Sequence, residues 1–210
     1  TNGASQGTFA YNGSISTSRV LEIGRVFNNG YNIDGKISNV AIWNTGLLGT
    51  EVETIYNNGT PLTDMSSFSS LVSWWKLNNT TTGIEDSKGS NNGTNNGATE
   101  YAGFVNTLAG DSSGMSQSNL TQSDLQTVAP YSKYALSFDG NDYIDCGNDS
   151  VFQFQAADSF SVSAWVNINS VTGNADFIVS NGLWNTSPYS GWGLNLQGAN
   201  ILRFDLTDNN

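Results

Sequence analysis

The stretch that decides the fold runs from Tyr134 to Ile168; it begins YALSFDGNDYIDCG (134–147) and ends SFSVSAWVNI (159–168). In the second segment apolar residues alternate with Ser, Trp and Asn from Phe160 to Ile168. A period of two indicates a strand with one buried face. In the first segment Asp139-Gly140 is a turn signal, because Gly tolerates positive φ and Asp hydrogen-bonds its own backbone. The stretch therefore predicts the inner wall of a β-sandwich.

Further short strands are predicted along the whole chain. They cover residues 20–25, 36–44, 71–77, 176–180, 192–196 and 201–206, and the last three are separated by turn signals at Asn181-Gly182, Ser190-Gly191 and Gly198. In the second of these strands Ile37 falls out of phase with Val40 and Ile42, which predicts a bulge near Ser38. Short strands at regular spacing with Gly turns are typical of an all-β antiparallel sandwich.

A single short helix is predicted over residues 50–58. Thr50 fits the N-cap, and Glu53 stands three residues later, as in a capping box. Gly59 and Pro61 follow as stop signals. Residues 78–99 and 103–132 are rich in small polar residues and carry little periodicity, so we expect them to form long loops.

Composition excludes several classes of function. The 210 residues carry a formal net charge of −11, which disfavours nucleic acid and anionic membranes as partners. There is no His, so Ser-His-Asp and Cys-His catalysis are excluded, and the lone Cys146 can form no intrachain disulfide. No apolar run approaches the roughly 20 residues that a spanning helix needs, so we expect no membrane insertion.

Three segments together resemble the laminin G-like, concanavalin A-like lectin family. YALSFDGNDYIDCG with SFSVSAWVN looks like the early strands of that family, and LVSWWKLNN…DSKGSNNGTNNGA like its first strand and loop. VLEIGR…IDGKISNVAIWNTGLLGTEVETIYNNG looks like its closing strands and terminal helix. The resemblance implies a jelly-roll sandwich. It also implies a non-catalytic adhesion or carbohydrate-binding module of an extracellular or virion-surface, fibre-like protein.

The order of these segments is unusual for one domain, because the closing part precedes the opening part. Residues 1–63 would close one unit, 64–69 would be a linker, and 70–210 would open a second unit. The favoured interpretation is a window across two tandem domains. The alternatives are a permuted single domain that residues 1–63 complete, and strand exchange with neighbouring chains in a homo-oligomer.

The resemblance also implies a possible Ca²⁺ site. The family often holds the ion near the segments that contain Asp139, Asn141, Asp142 and Asp86, and Ca²⁺ prefers several converging oxygen ligands. The alternative is that Asp139-Gly140-Asn141 forms only a tight turn.

Aromatic residues are the candidate ligand contacts. Sugar rings stack on aromatic planes while polar side chains bind the hydroxyls, so glycans are the predicted partners of Trp184, Tyr189, Trp192 and Trp165. The segment WNTSPYSGW (184–192) is the best candidate loop. The alternative is that Trp165 covers a sheet and that Trp192 belongs to the core.

No catalytic constellation is present. Glycoside cleavage needs two carboxylates about 5–9 Å apart, and the sequence has no Glu-x-Asp-x-x-Glu run. Asp142 and Asp145 would lie on opposite faces of a strand. We therefore predict that the protein is not an enzyme. The alternatives are a structural virion or surface-layer protein that contacts neighbouring subunits, and a glycan-cleaving enzyme of the same fold.

Overall fold

The computed structural model describes residues 19–26, 31–102, 134–155, 157–172, 175–184, 189–198 and 201–207. Eleven strands and one α-helix form within these ranges. They are β1 (Leu21–Ile23), β2 (Asp34–Trp43), α1 (Gly49–Tyr56), β3 (Leu71–Trp75), β4 (Thr94–Asn96), β5 (Thr99–Ala102), β6 (Tyr134–Asp139), β7 (Tyr143–Asp145), β8 (Ser161–Ser170), β9 (Ala175–Leu183), β10 (Ser190–Gln197) and β11 (Ile201–Thr207). The predicted loop at 103–132 lies outside the described residues.

The strands form two antiparallel sheets. Sheet A has the order β11-β10-β9-β1-β7-β4. In sheet B, β2 is central: β8 pairs along one side of it, and β6 and β3 follow one another along the other side, with β5 beyond β6. The predicted all-β antiparallel sandwich with one short helix is confirmed.

The main core lies between the two sheets. Its fully buried side chains include Leu21 and Ile23 of β1, Ile37 of β2, Phe138 of β6 and Trp192 of β10. The apolar face of β8, from Phe160 to Ile168, packs against this core although its residues are only partly buried. The segment that decides the fold therefore contributes to the core, as its alternation predicts.

Strands from the beginning of the chain lie in the middle of both sheets. In sheet A, β1 lies between β7 and β9, and in sheet B, β2 lies between β8 and the β6–β3 side. Residues 19–43 thus share both sheets with residues 134–207. The division into tandem units stays a prediction.

The predicted bulge near Ser38 is confirmed. Ser38 pairs with Trp165 and Ala41 pairs with Ser163, so β2 advances by three residues where β8 advances by two. Asn39 lies in this bulge with φ of 48°, a left-handed conformation that Asn tolerates better than most residues. Its side chain is buried, and its Oδ1 accepts a hydrogen bond of 2.9 Å from Trp74 Nε1.

Helix α1 begins and ends earlier than predicted. Leu48 is the N-cap, and its backbone N–H donates to Glu51 Oε2 over 2.7 Å. The acidic residue that closes the cap is therefore Glu51 and not Glu53, and Thr50 lies inside the helix. Leu48 is not one of the residues that usually form an N-cap, so the sequence pattern pointed to Thr50 instead.

A second, smaller core lies on the outer face of sheet B. Its buried members are Ala41, Trp43, Ile55, Leu62, Met65, Phe68, Leu71 and Trp74. Ile55 brings in α1, and the Trp43 and Phe68 rings meet edge to face with centroids 6.1 Å apart. The region around the predicted linker 64–69 is thus packed onto the sheet.

Two predicted turns are wrong. Strand β9 continues through Asn181-Gly182 to Leu183, and β10 begins at Ser190 and includes Gly191. Glycine serves a different purpose at these positions, because a Cβ on Gly182 would collide with the Ser190 carbonyl. The turn at Gly198, with φ of +53°, follows β10 as predicted.

Cys146 follows β7 and is buried in the main core. Burial, together with the nearby charges of Asp145, Asp86 and Glu22, raises the pKa of this thiol well above its ordinary value. Within the described ranges no helix combines the length and apolarity needed to cross a bilayer.

Candidate functional site

The four aromatic residues predicted to contact a ligand lie in three different places. Trp192 is a core residue with no exposed surface; its Nε1 donates to the Phe152 carbonyl over 3.0 Å. Its ring lies 5.6 Å from Phe160 and 6.3 Å from Phe204, centroid to centroid. Trp192 therefore cannot contact a ligand in this structure, and its assignment to the site is corrected.

Trp165 lies on the outer face of sheet B and is covered by α1. Its indole stacks on Tyr56 of the helix with ring centroids 6.1 Å apart and planes 9° apart. Sheets A and B lie on opposite sides of the core, so Trp165 shares no ligand with residues on the outer face of sheet A. Its role in this structure is to hold α1 against the sheet.

Trp184 and Tyr189 lie one residue beyond the last residue pair of β9 and β10. Leu183 pairs with Ser190, so the register places Trp184 opposite Tyr189 on the same face. Residues 185–188 of the predicted loop lie outside the described residues. Tyr189 is 48% exposed and Trp184 is half-buried. These two rings are the accessible part of the predicted site.

Trp184 belongs to a row of rings on the outer face of sheet A. Its ring centroid lies 5.6 Å from that of Phe177, which in turn lies 6.4 Å from Tyr31. We call Tyr31, Phe177, Trp184 and Tyr189 the aromatic face. Glycines let the rings lie close to the strands, since a Cβ on Gly193 would collide with the Phe177 ring.

Polar side chains continue this surface along β10 and β11. Asn195 pairs with Phe177 across the β9–β10 ladder, and its Nδ2 donates to Asp205 Oδ2 over 2.8 Å. Arg203 forms an ion pair of 2.7 Å with Asp205. The Oδ1 atom of Asn195 has no hydrogen-bond partner within the described part of the chain. The outer face of sheet A thus combines the partly exposed rings with a partly exposed carboxylate and guanidinium, while Phe177 and Asn195 on this face are buried.

Sequence reasoning missed the members of this surface outside the segment 184–192. Tyr31, Phe177, Asn195, Asp205 and Arg203 come from four separate stretches of sequence. One signal was present: alternation in WGLNL places Gly193 and Asn195 on the face opposite to Trp192 and Leu194. Gly193 and Asn195 are themselves buried, so this signal identifies the outward side of β10 and not an open surface.

The predicted calcium ligand Asp86 is occupied by the chain itself. Its Oδ1 accepts from the backbone N–H groups of Trp74, Lys88 and Gly89 over 2.9–3.0 Å, and its Oδ2 accepts from Asn91. Burial alone would raise the pKa of Asp86, but these backbone donors hold it below its ordinary value. The carboxylate organises the 86–91 loop against β3.

Asp139, Asn141 and Asp142 form a turn, as the alternative interpretation states. Asp139 Oδ1 accepts from the Asn141 N–H, and Asp142 Oδ2 accepts from the Asp139 N–H, both over 3.0 Å. Burial, with the neighbouring Asp139 charge, raises the pKa of Asp142. Among the described residues no three Asp, Glu or Cys side chains converge, and the calcium site stays a prediction.

A buried carboxylate does lie on the outer face of sheet A. Glu22 lies opposite Asp145 in the β1–β7 ladder and is 1% exposed. Its carboxylate accepts a hydrogen bond of 2.7 Å from Arg25, and the Arg25 guanidinium lies over the Tyr143 ring. Burial raises the pKa of Glu22, although the Arg25 hydrogen bond and charge oppose the rise. Because Glu22 is closed off from solvent, the pair offers no cleft for a glycoside.

Comparison with known proteins identifies one family. The family described as Clostridium neurotoxin, N-terminal receptor binding, matches residues 106–210, which is half of the chain. No curated protein and no solved structure is similar enough to the chain to count as a match. The match overturns the laminin G-like resemblance. That resemblance rested on short alternating motifs, and many β-sandwiches share such motifs because they bury one face of each strand.

Proposed function

Because the chain belongs to the family of Clostridium neurotoxin N-terminal receptor-binding domains, we propose that it binds the carbohydrate of a receptor through the aromatic face of sheet A. The family is one of non-catalytic binding domains. A receptor-binding part of a toxin acts outside the cell that it recognises, which supports an extracellular location. The match gives no support to a virion-surface or fibre-like role.

The observation that supports the proposal is the position of Trp184 opposite Tyr189, one residue beyond the last β9–β10 pair and beside a glycine-lined strand surface. Two rings side by side provide planes on which the C–H face of a sugar packs. Asp205 and Arg203 lie farther along the same face and are partly exposed, so they are in position to bind hydroxyl groups, whereas Asn195 is buried and donates to Asp205. A neutral saccharide needs no positive charge on the protein, which suits a chain of net charge −11.

The proposal is tested by a glycan array, followed by titration calorimetry on each glycan that the array retains. We expect Trp184→Ala and Tyr189→Ala each to weaken binding by about tenfold at most, since one ring contact is worth about 0.5–1.5 kcal/mol. Tyr101→Ala is the matched control, because Tyr101 is 39% exposed on the edge strand β5 of the other sheet. The Tyr101→Ala variant should bind each glycan with the affinity of the wild type.

Two results contradict the proposal. One is the absence of any retained glycan at millimolar concentration. The other is equal loss of binding in the Tyr189→Ala and Tyr101→Ala variants, which would indicate a nonspecific effect of removing surface rings. In either case the receptor contact would have to involve another surface or a protein partner.

A further inference from the structure

Strand β8 has one long edge without a strand partner among the described residues. It has ten residues, and within the described residues its only strand partner is β2, so the opposite edge leaves backbone N–H and C=O groups unpaired. From Ser159 to Thr172 the sequence has no charged residue and no Pro. Natural edge strands are usually protected by charges, Pro or short length, because a free edge recruits other strands. The β8 edge has none of these protections.

A cavity of about 390 Å³ runs along this edge and is lined by apolar groups on both sides of the strand. On the core side the lining includes Phe160 and Val162 of β8 with Leu194 and Phe204 of sheet A. On the outer side it includes Leu47 and Val52 beside α1. An added strand at the β8 edge would therefore meet apolar side chains with both of its faces.

Sheet A extends beyond sheet B at the same place. Leu202 and Phe204 lie on the core-facing side of β11, because Phe204 contacts Trp192 and side chains alternate along the strand. Yet Leu202 is 55% exposed and Phe204 is 37% exposed. Large apolar groups on the core side of a sandwich are normally covered, so the described part of sheet B is one strand short over β11.

We propose that a second copy of this chain supplies the missing strand, with β8 of one copy antiparallel to β8 of the other about a two-fold axis. The added strand must be long, uncharged, apolar at alternate positions and free at one edge. Among the described edge strands β8 alone meets these conditions, since β11 carries Arg203 and Asp205, β5 carries Glu100, and β3 and β4 have at most five residues. The contact is self-complementary, as a two-fold interface requires.

Charge gives the pairing a dependence on salt. Two copies of net charge −11 repel each other, and the uncharged β8 edge is the place where they approach with the least local repulsion. Added salt screens the remaining charges, since the Debye length falls from about 10 Å at 0.1 M to about 3 Å at 1 M. Dimerisation should therefore strengthen as salt is added.

The test is sedimentation velocity on the chain over a concentration series at low and high NaCl. We expect a monomer–dimer equilibrium that shifts towards dimer at high salt. Asn167→Lys places a charge on an exposed residue of β8 and should raise the dimer dissociation constant at least about tenfold, because both copies then bring an unpaired charge to the contact. Thr99→Lys, an equal charge change on the exposed edge strand β5, should leave the constant unchanged.

Circular dichroism and thermal unfolding confirm that both lysine variants fold, and hydrogen exchange of β8 amides is measured alongside. A wild-type monomer at high salt and high concentration overturns the proposal. If β8 amides are nevertheless protected in that monomer, another segment of the same chain covers the edge. A dimer that Asn167→Lys leaves intact also overturns it, because the contact then uses another surface.

Discussion

The outer faces of the two sheets both carry large aromatic residues, but they use them differently. On sheet B, Trp43 and Trp74 are buried beneath α1 and the segment around Met65, and Trp165 is stacked against Tyr56. On sheet A, Trp184 and Tyr189 lie over glycine-lined strands and remain partly exposed. An aromatic residue on a sheet's outer face therefore indicates a ligand site only when no other element covers it.

The largest expected effect is a difference in folding stability between variants on the outer faces of the two sheets. Trp43→Ala should lower the free energy of unfolding by about 3–5 kcal/mol, because it empties a fully buried site between β2 and Phe68. Trp184→Ala should cost only about 1 kcal/mol, since half-exposed rings add less to folding. Urea unfolding of both variants measures the difference. Equal losses would mean that the aromatic face is packed as tightly as the second core.

An intermediate effect concerns the carboxylate beside sheet B. Asp86→Ala should cost about 3 kcal/mol, because the backbone N–H of Trp74 in β3 and several backbone N–H groups of the 86–91 loop lose their acceptor. The lowered pKa of Asp86 means that its stabilisation is present above the ordinary Asp range and is lost as the pH falls through the lowered value. Acid unfolding of wild type and variant should therefore converge at low pH.

Thermal unfolding with added Ca²⁺ or EDTA distinguishes a structural role for Asp86 from a metal site. We expect addition of Ca²⁺ or of EDTA to leave the thermal midpoint of the wild type unchanged, since the carboxylate oxygens already accept hydrogen bonds from the chain. A rise of several degrees with millimolar Ca²⁺ would contradict this, because a ligand that binds the folded state raises its stability.

The smallest effect has the opposite sign and belongs to sheet A. The raised pKa of Glu22 means that its contribution to stability is greatest below the unfolded pKa and declines as the pH rises through the folded one. In Glu22→Gln that dependence disappears. The difference in unfolding free energy between variant and wild type should therefore shift in favour of the variant from pH 4 to pH 7. If that difference does not change with pH, the hydrogen bond and charge of Arg25 cancel the effect of burial on the pKa of Glu22.

Local patterns predicted what depends on neighbours in sequence. The alternation from Phe160 to Ile168 identified the buried face of β8, and the phase change at Ile37 located the bulge that Asn39 occupies. Both signals arise because side chains alternate along a strand, whatever lies beyond it. The fold class followed from several such strands.

Features that depend on packing between distant segments were not predictable in this way. Asn181-Gly182 reads as a turn, but the glycine instead allows the Ser190 carbonyl to approach. The local sequence does not distinguish Trp192 from Trp184. Only the register of β9 and β10 places Trp192 in the core and Trp184 on the outer face. The aromatic face is similarly assembled from positions 31, 177, 184 and 189, whose proximity is a property of strand order.

The buried position of Cys146 makes its thiol a natural probe of local opening of the sandwich. A thiol enclosed by the core and disfavoured as a thiolate reacts with an alkylating reagent only when the region around β7 separates. The sequence has no other cysteine, so the rate of modification reads a single location. Labelling kinetics would then measure how often the centre of the sandwich becomes accessible without any engineered probe.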